Sequence, residues 1–234
     1  MAVAYAASIA GTEQAGANAA SVDLSGRSVG DLAFVLISRS DELDPNSVPS
    51  GWSLVGKHVE DGYALGSWLY YKILADGDID TVTWGWADTA RTLADAHIYT
   101  GHHATTPLAA SNKGTTAHGS GTSLDFGSIT SDCGMLAVFG SCMATSTRLF
   151  GDITSYTERY DHGGTDPDWW HLCADTDGDW GGGTSDPSCT ISGAAYYGRF
   201  GFHVAIAPAS ASATFLPHIM RHHIIGAKGI VIHG

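Results

Sequence analysis

The densest grouping of ligating side chains in this 234-residue sequence is Asp175-Thr176-Asp177-Gly178-Asp179, followed by Trp180-Gly181-Gly182-Gly183 and Asp186. Alternate aspartates present hard oxygens at the spacing calcium loops use, which makes Asp175, Asp177 and Asp179 the candidate ligands of a calcium ion. Glycine stands fourth rather than sixth, however, and no bidentate glutamate follows, so an acidic turn is the plainer reading. Trp169, Trp170 and Trp180 flank the Asp-rich loops at 161–168 and 175–188. Flat rings beside carboxylates are what a carbohydrate site needs, and these three are the candidate ligand platforms, with packing as the plainer alternative. Trp68 and Trp84 alternate with polar neighbours in strand-like runs and read as core. A glycoside hydrolase would have to draw its acid and base from pairs such as Asp166 and Asp168, whose spacing is that of any loop acids.

Other catalytic patterns are missing from the sequence. It has no GxSxG elbow, no Walker loop, no HExxH and no dinucleotide glycine fingerprint. A non-enzymatic protein without a resident cofactor is therefore expected. His218 and His222 have helical ligand spacing, but Pro217 and the lack of a glutamate between them break the metalloprotease pattern. With His223 and His233 they could instead make docking of the last segment sensitive to mild acid. Cys133, Cys142, Cys173 and Cys189 form no CxxC pair. Cys173 and Cys189 flank one loop and could face each other across a hairpin, although small buried thiols are the plainer expectation.

The elements that would carry these residues are strands. Aspartate outnumbers glutamate twenty to four, and 30 glycines accompany it, a balance that favours turns and strand ends over helices. Strands are expected near 3–9, 19–24, 31–39, 52–59, 66–74, 80–86 and 91–100, separated by turn signals that include Asp44-Pro45-Asn46, Pro49-Ser50-Gly51, Asp76-Gly77-Asp78 and Ala87-Asp88. That density is the density of a β-sandwich.

The pattern then returns. The glycine-led run Gly30-Asp31-Leu32-Ala33-Phe34-Val35-Leu36-Ile37 is answered 104 residues later (134 − 30) by Gly134-Met135-Leu136-Ala137-Val138-Phe139-Gly140. At the same offset Gly51-Trp52 meets Ser155-Tyr156, and Trp68-Leu69-Tyr70-Tyr71 is matched to Trp169-Trp170-His171-Leu172. The expected fold is all-β: two pseudo-repeated antiparallel β-sandwich units, jelly-roll or immunoglobulin-like, over 1–103 and 104–208.

Residues 209–234 fall outside the repeat. They carry no carboxylate, while the body carries all 24 against 11 lysines and arginines in the whole chain. Phe215, Leu216, Ile219, Met220, Ile224, Ile225, Ile230 and Ile232 make this segment apolar enough to need burial. It is expected to be an extended C-terminal docking arm on a neighbouring subunit, with a strand folding back on its own body as the alternative. The net charge of −13 disfavours nucleic acid, no twenty-residue apolar span suggests a membrane, and no positive n-region suggests a signal peptide.

The frame Gly30-Asp31-Leu32, Pro49-Ser50-Gly51-Trp52, Tyr70-Tyr71-Lys72, Ala75-Asp76-Gly77-Asp78 and Thr81-Val82-Thr83-Trp84 resembles a β-sandwich repeat of tailed-bacteriophage virion proteins, of tail, fibre or decoration type. The resemblance spans 1–208 and is looser in the second copy, where Cys133-Gly134-Met135 and Ser155-Tyr156 depart from it. It implies a virion part assembled in the host cytoplasm, a homo-oligomer or a partner of other virion proteins, with host-surface glycan binding as the alternative task. It transfers no catalytic residue.

Overall fold

A computed structural model describes residues 2–60, 64–78, 80–114, 117–119, 121–132, 134–144, 150–163, 168–192 and 196–209. The expected docking arm, with Phe215, Leu216, Ile219, Met220, Ile224, Ile225, Ile230 and Ile232, lies outside the described residues, as do Asp166 and Cys133. Those described contain no helix. Their strands are β1 (Ala4–Ile9), β2 (Gln14–Asp23), β3 (Leu32–Arg39), β4 (Ser53–Glu60), β5 (Leu65–Ile73), β6 (Thr81–Thr100), β7 (Leu108–Lys113), β8 (Ala117–Gly119), β9 (Ser123–Asp125), β10 (Ile129–Ser131), β11 (Met135–Ala144), β12 (Thr157–Gly163), β13 (Asp168–Asp175), β14 (Gly183–Ser185), β15 (Ser188–Thr190) and β16 (Tyr196–Ile206).

Two antiparallel sheets dominate. The first runs β1-β6-β3-β5-β4 and the second β7-β16-β11-β13-β12, so the strands of the two halves occupy the same places in the same order. Alternation along β3 explains how they meet. Leu32, Phe34 and Leu36 leave one face and pack with Leu69 and Tyr99 against Met135, Phe139, Phe202 and Val204 of the second sheet. Phe34 and Phe139 are stacked at a tilt, 5.0 Å between centroids. Each fully buried side chain of this size contributes about 1.5–3 kcal/mol, so the face-to-face contact is a true core shared by both halves.

The opposite faces are covered separately. Ala33, Val35 and Ile37 meet Ala20, Val22, Trp84 and Trp86 from β2 and the first part of β6. Val138, Leu172 and Ala174 meet Leu124, Phe126, Cys189 and Ile191 from β9, β15 and their flanks. β3 is therefore buried on both faces, which is why it reads as an unbroken apolar run. Gly140 holds the corresponding place on β11 because a Cβ there would come within 2.7 Å of the Leu124 side chain.

Two expectations need correction. The strands expected at 80–86 and 91–100 are one strand, β6, whose first part pairs with β2 and whose second part pairs with β1 and β3. Ala87-Asp88 is where it passes between layers. The fully buried Arg39 fixes that passage: its guanidinium donates to the carbonyls of Ala17 (3.1 Å) and Asp88 (3.0 Å), pairs with Asp41 and lies over the Trp86 ring.

The second correction concerns register. β3 points Leu32 to the shared core and β11 points Met135 there, a spacing of 103 (135 − 32) rather than 104. On β5 and β13 the equivalent residues are Ser67 and His171, which pair with Ser38 and Ser141, so the matched tryptophans Trp68 and Trp169 do not coincide. A slip of an odd number of residues preserves an aromatic look and reverses the face.

Candidate functional site

The aspartate cluster already holds a cation, an arginine. Asp175 is fully buried at the end of β13, and the Arg159 guanidinium of β12 donates to its two oxygens at 3.0 and 2.9 Å. Arg159 also pairs with Asp177, whose backbone N–H donates to Asp175 Oδ1 at 2.8 Å. These hydrogen bonds, Asp175 first, hold the guanidinium even more firmly protonated than usual. Asp179 is exposed. The calcium reading of Asp175, Asp177 and Asp179 is corrected accordingly: a bidentate guanidinium has the place between the first two carboxylates that the ion would need. Replacing Arg159 with methionine strands a buried carboxylate and is expected to lower stability by about 3 kcal/mol, on the order of other broken buried pairs. Addition of a chelator to the parent protein should leave its unfolding temperature unchanged; a fall would restore the metal.

The three candidate tryptophans separate in the structure. Trp169 is fully buried with Leu65, Leu93 and Phe200 and is a core residue, not a platform. Trp170 is half-buried against the outer core of the second sheet, its ring over Gly163. Trp180 is the one that lines a cleft, a space of about 300 Å³ walled by residues 153–156 on one side and 184–188 on the other. Asp168 opens β13. Cys173 and Cys189 do not face each other, since Cys173 lies in the shared core and Cys189 in the outer one. Burial raises both thiols, Cys189 to about 12, so they are inert small hydrophobes.

The cleft is built on a turn that the first half also has. Tyr156 N–H donates to Ile153 O at 3.0 Å, as Trp52 N–H donates to Pro49 O at 3.3 Å. The third residue of each turn is left-handed, Gly51 at φ 79° and Ser155 at φ 69°. A non-glycine residue there costs about 1 kcal/mol, a cost that the first half avoids. The aromatic that follows differs too. Trp52 is buried edge-on against Trp84, whereas Tyr156 is half-buried at the cleft floor. His203 Nδ1 faces the Gly127 carbonyl at 2.8 Å and must carry the proton, so Nε2 accepts from Tyr156 O–H at 2.7 Å. Ser185 Oγ, 3.0 Å from the phenol oxygen, completes the chain. Burial raises Tyr156 to about 12 and depresses His203, keeping both neutral near pH 7.

A second constellation was not foreseen from the sequence. Where the two sheets face each other, Asp95 Oδ2 accepts from His171 Nδ1 at 2.6 Å, and His171 Nε2 meets Ser38 Oγ at 2.9 Å. The connectivity is that of a hydrolase triad. All three side chains are nevertheless fully buried, so no substrate carbonyl reaches Ser38 in this structure. Ser38 continues instead to Ser67 (3.1 Å), which receives Ser141 O–H at 3.2 Å. Asp95 Oδ1 accepts from Gly11 N–H at 2.6 Å and from Tyr160 O–H at 3.0 Å, with His162 at 3.6 Å. Burial pushes the Asp95 carboxyl up, but the charge of His171 and these hydrogen bonds outweigh it and hold it well below the usual range. Ser38, Ser67 and Asp95 come from the first sheet and Ser141, Tyr160, His162 and His171 from the second, which makes the network a polar clasp between halves. The sequence signal was a carboxylate at inward parity inside Leu93-Ala94-Asp95-Ala96, an apolar strand.

No family model, no curated protein and no solved structure matches the chain.

Proposed function

We propose that this chain is a non-enzymatic structural protein of a tailed-bacteriophage virion, carried on the particle surface as a capsid decoration or tail-associated component. The observation that supports the reading best is the equal strand order of the two sheets, which we take as two copies of one β-sandwich unit, 1–103 and 104–208. That duplication is what the resemblance to phage virion repeats leads one to expect. The segment 209–234 then acts as the arm that joins the chain to copies of itself and to other virion proteins in the host cytoplasm. The test compares the mass in solution of the full chain with that of a chain ending at Ala213. An oligomer that becomes a folded monomer on truncation supports the reading; a full chain that is monomeric, or a truncated chain that keeps the same mass, sinks the arm.

A second reading, carbohydrate binding by the second half, is favoured by one feature. Trp180 lines an open cleft there, while the equivalent turn of the first half closes over Trp52. The two readings are compatible, because a particle-surface protein can also touch a host glycan.

A further inference from the structure

The lining of the second-half cleft has a chemical character of its own. Its polar rim is made of hydroxyls, those of Thr154, Ser155, Thr184 and Ser188, together with the carboxylate of Asp186; among the described residues no lysine, arginine or histidine lines it. The apolar part is the Trp180 ring with Pro187 and Ile153. Trp180 Nε1 has no exposed surface while the residue as a whole is half-buried, so ring carbon rather than the N–H is presented. A carboxylate accepts two hydroxyl donors at once, hydroxyls both give and take, and a flat ring face stacks on sugar C–H groups. A space of about 300 Å³ sits at the small end of ligand sites, suited to one or two sugar rings.

Charge decides among sugars. An acidic saccharide would bring its carboxylate to Asp186 with no cation among the described lining residues to receive it, on a protein of net charge −13. The turn adds a second discrimination. Ser155 keeps a left-handed backbone where the matching turn uses glycine, and its side chain lies at the cleft lip. Strain retained at a pocket lip, and avoided in the copy whose turn leads to the buried Trp52, points to use of the side chain.

We infer that the cleft between the Ile153–Tyr156 turn and the Thr184–Ser188 segment binds an uncharged saccharide, with Ser155 Oγ and the Asp186 carboxylate as hydrogen-bonding groups and the Trp180 ring as the stacking wall. The inference rests on the carbohydrate-binding reading and specifies its ligand and contacts. Beneath the site, the chain Ser185–Tyr156–His203–Gly127 holds the floor rigid without exposing a charge.

The test is a glycan array carrying neutral, sialylated and uronic-acid saccharides, probed with the full chain, then titration of the best ligand against Ser155→Gly and Asp186→Ala. A neutral glycan is expected to bind, and each substitution to weaken it about tenfold, the loss of roughly one charged or neutral hydrogen bond. Ser155→Gly should at the same time raise the unfolding temperature by about 2 °C, as relief of the strained turn requires; a residue with a merely structural role would not lose affinity while gaining stability. Exclusive binding of acidic glycans overturns the inference and leaves the carbohydrate reading standing. Neutral binding untouched by both substitutions moves the site elsewhere and overturns it too. Silence across the array at millimolar ligand removes both the inference and the carbohydrate reading.

Discussion

Replacement of His171 by alanine is expected to lower the unfolding free energy by about 3–5 kcal/mol, the cost of leaving a buried charge without its partner. Asp95 is fully buried, and what holds it ionised is chiefly His171. Tyr160, His162 and Gly11 N–H remain to Asp95 in the variant, which places the loss nearer the lower figure. For a chain of this length such a loss moves the melting temperature by roughly 10 °C. The double replacement Asp95→Leu, His171→Leu removes the buried carboxylate together with its partner and should recover much of the stability, since buried polar pairs of this kind exchange for apolar packing at little net cost. Denaturant unfolding of the three proteins reads the result. A His171→Ala protein within 1 kcal/mol of the parent would mean that the clasp contributes no more than ordinary packing. A fluorophosphonate probe supplies an independent check: Ser38 in the native protein should stay unlabelled, and labelling would show that the triad opens.

Acid should weaken the fold steeply below pH 6.5. Burial depresses His58 to about 4 and His97 to about 3, each neutral in the folded chain. His58 Nε2 lies 3.0 Å from Gly201 O, between the rings of Phe200 and Phe202, and His97 Nε2 has no partner among the described residues. The unfolded chain takes up protons near pH 6.5 and the folded chain does not, so stability falls as pH drops from 6.5 through these lowered values. At 1.36 kcal/mol per tenfold difference in proton affinity, His58 accounts for about 3 kcal/mol by pH 4 and His97 for about 5 by pH 3. Two groups act the other way. Asp161, raised by burial to about 6, gains stability as pH falls from 6 to 4, and His162, raised chiefly by its hydrogen bond to Asp95, does so on approach to pH 6.5 from above. Both are partly open to solvent and screened, so the histidines win. Stability is expected to peak near neutrality and to have fallen by several kcal/mol at pH 4. His58→Phe should flatten the acid limb by about the His58 share, and an unchanged slope would assign the loss to other groups.

Much of this architecture was legible beforehand because alternation and turn chemistry act locally. Pro49-Ser50-Gly51 and Ala75-Asp76-Gly77 set strand ends within a residue of β4 and β5, and the apolar run from Leu32 required cover on two faces. The length of β6 was not legible, because its bend depends on Arg39, which arrives from fifty residues away and supplies the hydrogen bonds that a turn would have supplied. The calcium reading failed for a similar reason. Carboxylates at alternate positions attract whatever cation the fold brings, and the fold brings Arg159 from the neighbouring strand. Trp180, singled out by its place after an aspartate loop, lines a cleft, whereas Trp169 could be assigned to the core only once its parity on β13 was known. Ser38 lies 57 residues from Asp95 and 133 from His171 (95 − 38, 171 − 38), and no local pattern announces contacts that only sheet packing creates.

That equivalent positions of the two sheets hold Ser67 in one and His171 in the other carries a further meaning. Two identical sheets of this strand order could hide their apolar faces by a two-fold rotation, and symmetry would then force like residues into like places, serine in both or histidine in both. Two first halves would bury two copies of Asp95 with no imidazole between them, and two second halves would bury two copies of His171 with no Asp95 to meet them. Joining the sheets in a single polypeptide frees each position to differ, so that one half supplies the carboxylate and the other the imidazole. The clasp is thereby directional: it specifies that a first half mates with a second half, and it leaves a pairing of two like halves without the complement it would need.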